Sequence, residues 1–274
     1  PTTMAELGLT QILVEEANII GQQLFGKNAR SRAELTNRLL DICTRVQGKD
    51  ILLIHNPGGW GRTPLEDLLE WERSIIDGVV TTVGRTGYSW LLVQHFRNGN
   101  SIWARMRDMK EEANFLFKGT SRKVAEMAAE VEFIARRFNN LKILLIGASQ
   151  GAAFSNAVLR QIGERHQVYS IELGIFFPHM SRRVITERTL AIDDNGQIPD
   201  PVSHGKLLVS FKAYIGAPYR WIKYWLHGQP KKLAYCVNAP GHDYNWTYPM
   251  VHEHIEEFLK INFGTKDKPK ESLL

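Results

Sequence analysis

The sequence predicts an α/β fold with a mostly parallel central sheet flanked by helices. Three observations carry that expectation. Short runs of branched apolar residues, Ile51 to Ile54 and Ile143 to Ile146, have the length and composition of strands buried on both faces. Segments with helical apolar spacing stand between successive strand candidates, as crossovers between parallel strands require. The run Ile143 to Ile146 stops at Gly147 and a helical pattern resumes at once, so strand gives way to helix through a bend of small residues.

Residues 1 to 46 read as an N-terminal extension of two helices. Leu13, Ala17, Ile20 and Leu24 recur at helical spacing. After a break at Gly26 to Arg30, a capping box of Ser31 and Glu34 opens a second stripe of Leu35, Leu39, Ile42 and Val46. Residues 47 to 274 then form one α/β domain, since no linker-like composition divides them. Within it, Leu65 to Ile76 predicts a helix after Pro64, and Tyr88 to Phe96 a strand. The aromatic and charged segment Ile102 to Phe117 fits neither pattern. Thr120 or Ser121 caps a helix through Phe138, with Val124, Met127, Val131, Ile134 and Phe138 on one face. The helix after the bend turns Phe154, Val158, Leu159 and Ile162 inward. Strand candidates follow at Gln167 to Leu173, Thr189 to Ile192 and Lys232 to Val237, and Val251, Ile255, Phe258 and Leu259 stripe a closing helix.

Composition excludes several classes. With 43% hydrophobic and 23% charged residues in 274, the chain can bury a full core. Its apolar runs are far short of a bilayer-spanning helix. Pro1-Thr2-Thr3 lacks the basic and then apolar layout of a secretory signal. Cys43 and Cys236 are too few for a disulfide framework and lack metal-site spacing, so a reducing, cytoplasmic setting is expected. Net charge +5 leans towards anionic partners. The basic residues are scattered among acids with no stripe of interleaved stacking aromatics, which argues against nucleic acid.

The bend reads Gly147-Ala148-Ser149-Gln150-Gly151, a Gly-x-Ser-x-Gly motif in a strand, turn, helix setting. Many such serines only cap the next helix. In this setting the residues resemble the nucleophile elbow of the α/β-hydrolase fold, with the likeness running from roughly Asp50 to Phe263. The resemblance implies a serine hydrolase of esterase or lipase type, with thioesterase and peptidase behind. It would cleave a small-molecule or lipid acyl substrate through an acyl-serine on Ser149, with no metal or cofactor.

A serine hydroxyl needs a base within hydrogen-bond reach. Of nine histidines, His242 leads, because it follows the last strand candidate in the loop Asn238-Ala239-Pro240-Gly241 and precedes the closing helix, where the family places its base. The family order of Ser, acid, His puts Asp194 first and Asp193 next, both after Thr189 to Ile192. Asp-Asn-Gly is equally a hairpin tip, so Asp200 and Glu172 stand as alternative acids. The loop His55-Asn56-Pro57-Gly58-Gly59-Trp60-Gly61 resembles the family's glycine-rich oxyanion loop. Pro57 has no N–H to give. Gly58, Gly59 or Trp60 would therefore supply the first donor and Gln150 the second.

Lys206 to Gln229 carries Phe211, Tyr214, Tyr219, Trp221, Tyr224 and Trp225 among Lys212, Arg220 and Lys223. It suits a cap or insertion over residues 200 to 230 lining an acyl pocket, a segment for peripheral contact with a membrane, or a helix packed into the core. The rival function is a non-catalytic binding or interaction module on the same scaffold, favoured by the unsettled acid and by Asn56 and Pro57 standing after His55 where the family usually has Gly and a donor residue. A nucleotide binder is opposed by the lack of Gly-x-Gly-x-x-Gly after the first strand and of a phosphate-loop lysine in Gly-Ala-Ser-Gln-Gly.

Overall fold

Among the described residues, five strands, β1 (Ile51–Asn56), β2 (Trp90–Gln94), β3 (Lys142–Ala148), β4 (Val168–Leu173) and β5 (Thr189–Ile192), form one sheet in the order β2-β1-β3-β4-β5. Every neighbouring pair is parallel. Helices carry the chain around it, among them α1 (Met4–Phe25), α2 (Ala29–Val46), α3 (Glu70–Arg85), α4 (Ile102–Lys118), α5 (Arg122–Arg137), α6 (Gln150–Ile162) and α7 (Pro249–Phe263). The computed structural model describes residues 4–97, 102–163, 165–205, 216, 219–220, 222–227 and 239–266. The predicted strand Lys232 to Val237 and much of the aromatic stretch lie outside the described residues. No helix among those described is long and apolar enough to cross a membrane.

Period-two alternation explains the layers. Leu52 and Ile54 of β1 and Ile143 and Leu145 of β3 point into a core built with α1, α2, α5 and α6. Their neighbours Ile51, Leu53, Leu144 and Ile146 point the other way, into a core closed by α3 and α7. All eight side chains are buried, each contributing about 1.5–3 kcal/mol of transfer free energy. The N-terminal helices join the first core through Leu13, Ala17, Leu35, Leu39, Ile42 and Val46.

Local chemistry revises several element ends. Helix α2 is capped by Asn28, whose Oδ1 accepts from Ser31 N–H at 3.1 Å, in place of the expected Ser31–Glu34 box. Glu34 is drawn instead to Arg30 at 2.8 Å. The predicted helix Leu65 to Ile76 divides. A short 3-10 turn covers Leu65–Asp67, Leu68 and Leu69 are extended, and α3 runs from Glu70 to Arg85. The Arg73 guanidinium, donating to Leu65 O at 2.9 Å, braces that corner. The buried stripe Ile75, Ile76, Val79 and Val83 carries the helix past Ile76. Ser121 caps α5 as expected, its side chain accepting from Val124 N–H at 3.4 Å. The segment that fitted no pattern is helix α4.

In a doubly wound sheet of order 2-1-3-4-5, ligands bind beyond the carboxyl ends of the strands where the chain order reverses, between β1 and β3. Register pairs Asn56 with Gly147 across that point. The glycine-rich loop and the Gly-x-Ser-x-Gly bend thus leave the sheet side by side.

Candidate active site

Ser149 sits at φ 54°, ψ −117° and is the only non-glycine residue with positive φ among the described residues. Such backbone costs on the order of 1–3 kcal/mol for a residue with a Cβ and persists only where the surroundings enforce it. They do so here by close packing. A Cβ on Gly147 would lie 2.4 Å from Gly151 O, and one on Gly151 would lie 2.1 Å from Asn56 O. Only glycine fits at either place. The Ser149 N–H donates to Leu173 O at 2.8 Å, and Ser149 O accepts from Ala153 N–H at 3.2 Å. The serine side chain caps nothing, so the helix-capping reading of the motif does not hold. Its Oγ, half-buried, makes no hydrogen bond with another described residue, His242 included.

Of the four carboxylates weighed, the one on the ring of His242 is Asp200. His242 Nδ1 donates to Asp200 Oδ2 at 2.7 Å. Tyr244 Oη and Ser203 Oγ donate to the same oxygen at 2.6 and 2.9 Å, and Val202 N–H donates to Oδ1 at 2.7 Å. Asp200 is fully buried. Burial pushes its carboxyl up, but the hydrogen bond and charge of His242, with the Tyr244 and Val202 bonds, outweigh this and hold it below the ordinary value. Tyr244 is shifted the other way, raised by burial and by the Asp200 charge. The Trp71 ring meets His242 edge-on, centroids 6.3 Å apart, and fixes its far side. Gly241 (φ +90°) lets the histidine loop press on the Pro199 carbonyl, where a Cβ would come within 2.7 Å.

The other three acids are engaged elsewhere. Asp194, first in the sequence order, accepts from Gly196 N–H at 2.7 Å and bridges to Pro199. Its Asp-Asn-Gly is a turn, the competing meaning of that tripeptide. Asp193 pairs with Arg183 at 2.6 Å. Glu172 is enclosed by Arg183 Nε at 2.8 Å, Asn156 Nδ2 at 3.0 Å and Ser170 Oγ at 3.1 Å.

Elbow and acid meet across β4. Leu173 holds the Ser149 N–H, and the next residue, Gly174 (φ +55°), lies against Asp200 and Tyr244. A Cβ there would be 2.7 Å from Asp200 Oδ2 and 2.6 Å from the tyrosine ring. With Nδ1 committed to Asp200, Nε2 is the ring nitrogen with no hydrogen bond to another described residue.

The glycine-rich loop lies against the bend, a Cβ on Gly58 falling 3.3 Å from Ala148 O. Among the three expected donors, Gly58 N–H is taken by Glu72 Oε1 at 3.0 Å, and the same oxygen lies 3.2 Å from His55 Nε2. Gly59 N–H has no acceptor among the described residues, and Trp60 stands exposed beside it. Opposite, Gln150 opens α6, whose first-turn N–H groups have no intrahelical partner. Its side chain donates to Glu112 Oε2 at 2.5 Å. Sequence reasoning missed Arg97 and Glu112, which brace this corner. No local pattern marks either one.

No family model and no curated protein matches the chain. Among solved structures it is similar to a Trichoderma reesei cutinase in complex with a C11Y4 phosphonate inhibitor. The TM-score is 0.35 and the identity 12%, over 72% of this chain and 80% of that one.

Proposed function

We propose that the chain is a serine hydrolase that cleaves carboxylic esters through an acyl-serine. The observation that carries the reading is a serine held in costly backbone geometry at the switch point of the sheet, which a capping or packing role would not need. Asp200 on Nδ1 fixes the tautomer of His242 and stabilises the imidazolium as Nε2 takes the Ser149 proton. The Ser149 oxygen bonds to the acyl carbon, and the carbonyl oxygen gathers negative charge between Gln150 N–H and an N–H of the 58–60 loop. His242 returns its proton to the leaving alkoxide, and water, deprotonated by the same ring, releases the acid. The exposed apolar side chains of Ile222, Trp225 and Leu226 support a lipid-like or long acyl substrate.

The absence of a hydrogen bond between Ser149 Oγ and His242 favours the rival reading, a binding module on the same scaffold. Apo sites often tighten only around substrate, so reactivity decides. Wild-type protein should react covalently with a fluorophosphonate probe and turn over p-nitrophenyl butyrate, and Ser149→Ala should do neither. A folded wild-type protein inert to both would leave only the module.

A further inference from the structure

We propose that buried Arg97 and partly buried Glu112 form a clamp that positions the oxyanion donors, an inference that rests on the hydrolase reading of Ser149. Arg97 follows β2 and is 1% exposed. Its Nη1 donates to Pro57 O at 2.9 Å and its Nη2 to Gly59 O at 2.5 Å, while its backbone N–H donates to Gly61 O at 2.8 Å. Gly61 is the cradle for the guanidinium, since a Cβ there would fall 2.4 Å from Cζ.

Peptide planarity turns these contacts into an orientation. In a trans peptide the C=O and the following N–H point in opposite directions. Capture of Pro57 O and Gly59 O by the guanidinium therefore aims the N–H groups of Gly58 and Trp60 away from Arg97. Gly58 N–H ends on Glu72. Gly58 O accepts from Gly61 N–H at 3.1 Å, which turns Gly59 N–H out of the bend. The same ion pair reaches the opposite wall. Glu112 Oε1 lies 3.8 Å from Arg97 Nε, and its Oε2 holds the side chain of Gln150. One buried cation and one carboxylate are thus bonded to both segments that would flank the oxyanion. A planar fork suits this task and an ammonium does not, because two carbonyls must be held at once in fixed directions. Arg97 and Glu112 are positioning residues, touching no substrate atom.

The test uses the full chain with Arg97→Lys and, should that variant fold poorly, Glu112→Gln. Three quantities are read: p-nitrophenyl butyrate kinetics, the rate of fluorophosphonate labelling, and amide hydrogen exchange of residues 57–61. Donors that act only in the transition state change kcat and leave KM alone. The expected result is a kcat lower by about 10- to 100-fold, somewhat less than outright loss of a donor. KM should stay near wild type, labelling should slow, and exchange should rise in 57–61. Wild-type kcat in both folded variants overturns the clamp, as does a change confined to KM. A wild-type protein that never labels, with exchange in 57–61 still rising in Arg97→Lys, shows that the hydrolase reading failed. It overturns the catalytic role of the clamp as well, reducing Arg97 to a brace for a loop.

Discussion

Glu172 and Asp200 are both fully buried near the carboxyl edge of the sheet, yet they face opposite kinds of partner. Glu172 meets Arg183, a guanidinium that only donates, and is further fixed by Asn156 and Ser170. Asp200 meets an imidazole, whose second ring nitrogen can accept or donate a proton. A buried acid held by a guanidinium is locked into the architecture, whereas one held by an imidazole can answer a proton moving on the far side of the ring. Burial is the same for both. The partner differs.

Four substitutions and a pH scan test that contrast. Asp200→Asn should lower kcat by about 10³- to 10⁴-fold, because the amide no longer enforces the tautomer that leaves Nε2 free. Glu172→Gln should leave kcat of the folded fraction near wild type, and equal losses in the two variants would erase the distinction. Stability should respond in the other order. Glu172→Gln strands Arg183 with half its counter-charge and should cost about 3–5 kcal/mol in urea denaturation. Tyr244→Phe, which deletes one bond to the Asp200 carboxylate, should cost about 1.5–3 kcal/mol.

The pH dependence should differ in sign. Asp200 is held below its ordinary value, so its contribution to stability is complete above the usual carboxylate pKa of about 4. That contribution drains away as pH falls through the lower folded value. Glu172 is raised, burial outweighing Arg183, Asn156 and Ser170. Its contribution is complete below the usual range and shrinks as pH climbs through the folded value. Thermal midpoints against pH should therefore flatten on the acid side in Asp200→Asn and above the ordinary glutamate range in Glu172→Gln. Flattening on the same side in both would contradict the assignment. The smallest effect is expected far from either acid: Asn28→Ala should cost about 1 kcal/mol by uncapping α2, with kcat unchanged.

The two acids also mark how far the sequence could be read. The bend around Ser149 was legible because its requirements are local: two glycines, a serine, and an abrupt change of hydrophobic period within five residues. The carboxylate partner of His242 was not, because Asp200 and His242 meet across 42 residues of chain. Nearby, Asp-Asn-Gly offered a stronger local signal that served a turn at Gly196. A subtler cue lay in Asp200-Pro201-Val202-Ser203, where a carboxylate can bond the backbone two residues on and the hydroxyl three residues on, as it does. The stripes of α5 and α7 were plain because each buries one continuous face. Helix α4 was obscure because charges and aromatics alternate along it, and some of those charges are spent on distant partners such as Gln150. Capping likewise went to whichever neighbour geometry allowed, Asn28 ahead of Ser31.

The torsion at Ser149 carries a consequence for how this chain would change under selection. Replacing the serine by glycine would relieve the left-handed geometry at the expense of some chain entropy, for a net gain of about 1 kcal/mol. A library screened only for survival of heating should drift towards glycine at position 149, while one screened for turnover should retain serine and tolerate the weaker fold. The direction of that drift would reveal which of the two demands the bend was made to meet.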